Sequence, residues 1–228
     1  MLALKKEPPR EQVLWRDADK FVANGYAPAR TPFGHGMPGG PWAIVYSAPG
    51  DADREAYGAQ GVSILTGARP NPQFGLNAAT ASWCVSILVR TEHKGIAATV
   101  DALIASRRVW REGVTSRFAP SRCTVGSLKR LHVFGLADGE LAFNGRSGRF
   151  YTHPKLPGYM TVETRSANQQ FVHSGVDLDV DNTPYHWHNG LDLTRVHRDQ
   201  LPILGRDSAD ALSREIEDLF EAHGASWS

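Results

Sequence analysis

Residues 83–93, WCVSILVRTEH, constrain the fold more than any other stretch. An apolar body broken only by Ser86 runs out into Arg90, Glu92 and His93. A short apolar run rich in β-branched residues, with a polar exit, reads as a buried strand. The next residues, GIAATVDALIASRR (95–108), place Ile96, Val100, Leu103, Ile104 and Arg107 at helical spacing, so an amphipathic helix follows the strand.

The rest of the chain supplies partners for that pair. EQVLWRDADKFVAN (11–24) puts Val13, Leu14, Ala18, Phe21 and Val22 on one helical stripe, with Gly25 as the stop. A Gly/Pro-rich passage from Ala27 to Asp51 is loop with short extended pieces, and GVSILTG (61–67) is a short strand. The second half reads as strands: 122–136, a hairpin around Asn144-Gly145, YMTVETR (159–165), QQFVHSGVDL, and an aromatic turn at TPYHWHNG. DSADALSREIEDLFEAHG predicts a closing helix, capped by Asp207 or Ser208, striped by Leu212, Ile216 and Leu219 or Phe220, and ended by Gly224. The sum is an α+β architecture. It predicts a single unit over 1–228, with an N-terminal α/β lobe over 10–110, a sheet lobe over 111–205 and a C-terminal helix over 206–228.

Charge is uneven. The chain carries a net charge of only +1, yet residues 105–150 hold nine Lys or Arg against three acids. A basic middle suggests a phosphate-bearing ligand, with Arg107, Arg108, Arg111, Arg117 and Arg122 as its candidate contacts, and a solvated face whose counter-charges lie elsewhere in the fold is the alternative. Residues 207–221 reverse the balance, with six acids and one arginine. No apolar run approaches the roughly 18 residues a membrane helix needs, and MLALKKEPPREQ lacks a secretory apolar region. Cys84 and Cys123 read as buried free thiols, which with these features predicts a cytoplasmic protein.

Three local patterns carry chemistry. In YMTVETRSANQQFV, Glu163 stands among apolar neighbours two residues before Arg165. A buried carboxylate needs a partner or a metal. In TVGSLKRLHVF (124–134), Gly126 and Ser127 offer turn amides, and Lys129, Arg130 and His132 are donors suited to a triphosphate. DLDVDN has the spacing of a calcium loop at Asp177, Asp179 and Asp181, but Asn182 and His188 stand where that loop needs glycine and glutamate. His186 and His188 flank Trp187 as a zinc pair that lacks an evident third ligand.

In order and spacing, four pieces resemble the N-terminal domain of phage and plasmid bifunctional DNA primase-polymerases, in the archaeo-eukaryotic primase superfamily. They are NGYAPARTPFGHGMPGGPW with GVSILTG, TVGSLKRLHVF, VETRSANQQFV and PYHWHNGLDLTRVHRDQLPIL, spread over about residues 11–204. The resemblance implies an RRM-like palm, DNA primase and polymerase activity by two-metal nucleotidyl transfer with Mg²⁺ or Mn²⁺, a single-stranded DNA template and nucleoside triphosphates. A helicase domain or protein is an expected partner, in the cytoplasm of a bacterial host. It implies that Glu163 is a metal ligand, that His132 touches nucleotide phosphates beside Lys129 and Arg130, and that Arg165 holds template or nucleotide.

The chain departs from that pattern where the family has two strand acids one residue apart. Here Ser86 and Leu88 occupy those places, and neither replaces a carboxylate as a Mg²⁺ ligand. Glu92 and His93 substitute only in a shifted register. His35 stands where the family has a lysine. The alternative expectations are a catalytically degenerate relative that binds single-stranded DNA, nucleotide or a replication partner, and an unrelated α+β domain, which a sheet without Glu163 and His132 on one face would favour.

Overall fold

The structure is a computed structural model, and it describes residues 13–31, 55–67, 84–91, 93–106, 116–120, 128–136, 148–167, 169–174, 176–177, 183–184, 186–187 and 192–227. It is a mixed α+β arrangement with two main antiparallel sheets and few helices.

The smaller sheet has three strands, β1 (Pro28–Thr31), β2 (Gly61–Leu65) and β8 (Gln170–Ser174), with β2 in the middle. The larger sheet has seven, in the order β11-β4-β5-β3-β7-β6-β12. These are β3 (Cys84–Thr91), β4 (Ser116–Pro120), β5 (Leu128–Gly135), β6 (Tyr151–His153), β7 (Leu156–Arg165), β11 (His186–Trp187) and β12 (Ser226–Trp227). The WCVSILVRTEH strand is therefore the centre of the larger sheet, paired along its length with β5 and with β7. Two short strands, β9 (Val176–Asp177) and β10 (Thr183–Pro184), form a ribbon of their own.

The sheets do not divide near residue 110, where sequence places a lobe boundary. β8, from the second half, completes the smaller sheet, and β3, from the first half, is the middle of the larger one. Strand pairing joins segments far apart in sequence, which local composition does not record.

Each face of the larger sheet has its own core. Val85, Ile87, Val89, Phe134, Met160 and Val162 are buried with Ile96 and Val100 of α2 (Lys94–Ser106) and with Ala209, Leu212, Ile216 and Phe220 of α3 (Arg206–Ala222). On this face Thr164 Oγ1 and Ser213 Oγ lie 3.2 Å apart, joining β7 to α3. The other face gives Cys84, Leu131 and Val133 to a second core with Val62, Ile64 and Phe171 of the smaller sheet and Trp15, Ala18 and Phe21 of the N-terminal helical segment. Side chains alternate across a strand, so β3 feeds both cores by turns.

The opening helix is shorter than its periodicity predicts. A 3₁₀ turn over Trp15–Asp17 leads into α1 (Ala18–Ala23), and Gly25, at φ +82°, ends it. Leu14, Ala18 and Phe21 are buried as the stripe requires, but Val22 is exposed. At the other end, α3 is capped by the backbone of Gly205, with no side-chain cap from Asp207 or Ser208. The expected hairpin at Asn144-Gly145, His35 and Cys123 lie outside the described residues.

Cys84 is a free thiol, fully enclosed in the second core, and burial pushes it up to about 12 from an ordinary 9.0. Below pH 9 the folded and unfolded chains both keep this proton, so its contribution to stability is fully present. Between pH 9 and about 12 only the unfolded chain releases it, and stability falls by up to about 1.4 kcal/mol per pH unit. Urea unfolding across this range should show a steeper decline in the native chain than in Cys84→Ala, in which the buried hydroxyls of Tyr26 and Tyr151, also pushed up by burial, still contribute above pH 10; equal slopes would mean that the thiol is not enclosed.

Candidate nucleic-acid interface

Register decides which candidate residues meet. Leu88 lies directly between Leu131 of β5 and Glu163 of β7, and Ser86 lies between Val133 and Arg165. Residues opposite one another share a face, as do positions two apart along a strand. Ser86, Leu88, Glu163 and Arg165 therefore occupy one face, the one that turns toward the smaller sheet at its Cys84 end.

His132 does not join them. It is paired with Ile87 and Ser116, and Ile87 with Thr164, so the row containing His132 belongs to the face covered by α2 and α3. The expectation that His132 and Glu163 act at one site is corrected by a one-residue offset, which in a strand reverses the face. Arg130 is two residues from His132 and shares its side, whereas Lys129 is opposite Arg90, in the row next to that of Leu88 and Glu163. Arg117 is opposite Leu131, in the same row as Leu88 and Glu163. Arg107, Arg108, Arg111, Arg122, Gly126 and Ser127 lie outside the described residues, as do Glu92, Asp179, Asp181 and His188.

Glu163 is half-buried and already engaged. Arg165 Nη2 donates to its Oε2 at 2.9 Å, and Arg165 Nη1 donates to the carbonyl oxygen of Gln170 at 2.9 Å. That second bond ties the end of β7 to the start of β8, so Arg165 braces the junction of the two sheets as well as neutralising the acid. Ser86 is fully buried, and its hydroxyl has no hydrogen-bond partner among the described residues. Leaving such a group unpaired costs about 1–3 kcal/mol.

These residues do not fit a pair of divalent cations. Mg²⁺ and Mn²⁺ need several hard oxygen ligands. Here a single carboxylate faces a hydrocarbon across the sheet and is held by a guanidinium. Among the described residues no three His, Cys, Asp or Glu side chains come together in a way that could hold a metal. His93, the residue of the shifted register, accepts from the Ile96 amide through Nδ1 at 3.3 Å and so caps the start of α2. Asp177 sits in the β9–β10 ribbon, and His186 pairs with Phe118 at the sheet edge.

Trp187, expected from sequence in an aromatic turn, lies in β11 and has a structural part. Its indole donates to the His173 carbonyl oxygen at 3.2 Å and its ring stacks on the His173 ring at 4.5 Å. Phe21 meets that imidazole edge-on at 4.6 Å, which locks β8 against the N-terminal helix.

Sequence reading did not single out four residues on the Glu163 face. Arg90 extends over the Tyr159 ring at 4.2 Å and hydrogen-bonds its hydroxyl. Phe150 meets Tyr159 edge-on at 5.2 Å and is 52% exposed. Gly148 lies against the backbone of β7 beside Glu163. Alternation along β7 would have grouped Tyr159 with Glu163, but nothing local says that Phe150 returns to lie beside it. A separate polar cavity of about 560 Å³ is lined by Arg149, Tyr151 and residues of α3 such as Asp210 and Arg214, and none of the residues expected from sequence lines it.

Among the described residues, no helix is long and apolar enough to cross a membrane. Comparison with protein-family models, with curated proteins and with solved structures returned no match.

Proposed function

We propose that this chain is a primase-polymerase-like domain with a palm-type sheet that binds single-stranded DNA, and that its two-metal site has degenerated. One observation supports this most: Leu88 is opposite Glu163, and Glu163 is paired with Arg165. The place that would hold a second carboxylate holds an isobutyl group, and the remaining acid is neutralised. Nucleotidyl transfer by two metals draws its charge compensation from a cluster of acids. Binding of a polyanion needs the opposite. The same face carries Arg90, with Lys129 and Arg117 at register positions in neighbouring strands, while Arg165 and Glu163 balance one another.

Binding of this kind releases counterions and weakens steeply with salt. Labelled oligo(dT), titrated at several salt concentrations, measures both affinity and slope. Glu163→Gln gives a result whose sign separates the two readings. A binding face loses a negative charge and frees Arg165, so affinity at low salt should rise about two- to fivefold, and the salt slope should steepen by about 0.7 for one added phosphate contact. A catalytic metal ligand would instead be essential to manganese-dependent primer extension. Primer extension by the native chain, lost in Glu163→Gln, would establish the polymerase reading in place of this one. Failure of the native chain to retain any DNA at low salt would end the binding reading.

A further inference from the structure

We infer that Phe150, held in place by Tyr159, is a base-stacking platform on the exposed part of this face, so that the site selects single strands with accessible bases over duplex. The inference rests on the DNA-binding reading above and adds to it the residues that contact the bases and the reason for strand selectivity.

Phe150 is 52% exposed although it is a large apolar side chain at the sheet. It is not loose on the surface: its ring is set edge-on to Tyr159, at 5.2 Å and 65°. Tyr159 is fixed in turn by Arg90, whose guanidinium covers the ring at 4.2 Å and bonds the hydroxyl. Two aromatic rings are thus pre-positioned beside a cation. Tyr159 precedes Thr161, Glu163 and Arg165 at alternate positions of β7, so all four share the face.

The charge along the face suits one occupant. Lys129 and Arg90 are opposite one another in adjacent strands, one row from Leu88 and Glu163, and the Glu163 carboxylate is neutralised by Arg165. A phosphate backbone complements the Arg90 guanidinium, and unpaired bases complement the exposed ring. Every base has a π-face, so such stacking tolerates sequence. In a duplex the base faces are buried against one another and offer nothing to Phe150. An acidic protein partner could use the cations, but it would meet the exposed ring only where it carried an aromatic side chain of its own, whereas every nucleotide carries a flat base.

The test compares the native chain, Phe150→Ala and Phe150→Trp for binding to oligo(dT), to an abasic oligomer of the same length, and to a duplex. Phe150→Ala should weaken oligo(dT) binding about tenfold, within the range found for one stacked base. It should leave the salt slope, the abasic affinity and the duplex affinity unchanged, and Phe150→Trp should restore binding. Oligo(dT) affinity unchanged in Phe150→Ala, with salt-dependent binding intact, overturns the platform and leaves the DNA-binding reading standing. Equal loss for oligo(dT), abasic oligomer and duplex also overturns it, because the ring would then act only through the fold. Absence of binding by the native chain defeats the underlying reading and the platform with it.

Discussion

Leu88→Asp should make the stability of this protein depend on manganese. The substitution places a carboxylate directly across from Glu163 on the same face. Without metal, a half-buried leucine is exchanged for a charge beside another of like sign, at a cost of about 2–4 kcal/mol. Arg165 offsets part of this because it lies 2.9 Å from Glu163. With Mn²⁺ present, the two carboxylates would supply a pair of oxygen ligands that the described residues of the native chain do not bring together. A ligand at a hundred times its dissociation constant returns about 2.7 kcal/mol. Thermal melts with and without Mn²⁺ measure the difference. The native chain should melt at the same temperature in both. If manganese stabilised the native chain as much as the variant, the acidic site would already be complete, and the degenerate reading would be wrong.

Gly148→Ala should be among the most destabilising single-methyl changes available. A Cβ at this position would lie 2.5 Å from the Val162 carbonyl oxygen and 2.9 Å from Glu163 Cγ, and would also strike Thr161 Oγ1. Thr161 is buried, and the carbonyl belongs to the backbone of β7, so neither can swing aside. Overpacking of this kind costs about 3 kcal/mol. In a chain of this size that is a fall of about 6–12 °C in melting temperature. Because the contact reaches Glu163, the variant should also alter oligo(dT) affinity by more than a distant variant of equal stability does. A melting temperature within a degree or two of the native value would mean that the segment before β6 does not lie against β7.

Much of the secondary structure was legible from periodicity and punctuation. The strands at 61–65, 84–91, 128–135, 156–165 and 170–174 and the helices at 94–106 and 206–222 fall where apolar spacing predicts them. Local chemistry sets these elements, so local reading finds them. The errors lie where something distant decides. Val22 continues the α1 stripe in sequence but is exposed, because α1 is only six residues long and buries Ala18 and Phe21 instead. Asp207 and Ser208 are good capping residues, yet α3 starts at Arg206, two residues earlier than a cap at Asp207 allows and three earlier than one at Ser208.

The candidate site divides in the same way. That Glu163 and Arg165 share a face follows from alternation alone, and their ion pair is a natural consequence. That His132 leaves this face, while Leu88 is set against Glu163, depends on how β3 is registered with β5 and β7. A shift of one residue would reverse both statements, and the sequence of a single strand carries no record of its neighbours' register. Phe150 is the clearest case of a residue visible only in the fold, since nothing in SGRFYTH says which ring it will meet.

By itself, then, the sequence determined the kind and position of the elements, the basic middle of the chain and the absence of acids at 86 and 88, because these are properties of residues and their near neighbours. Only the tertiary structure decided that strands from opposite halves of the chain build each sheet, that one carboxylate is paired with Arg165 opposite a leucine, and that an arginine-supported aromatic pair stands on the same face. Pairing between distant strands sets which side of the sheet each residue occupies, and the side sets the chemistry available to it.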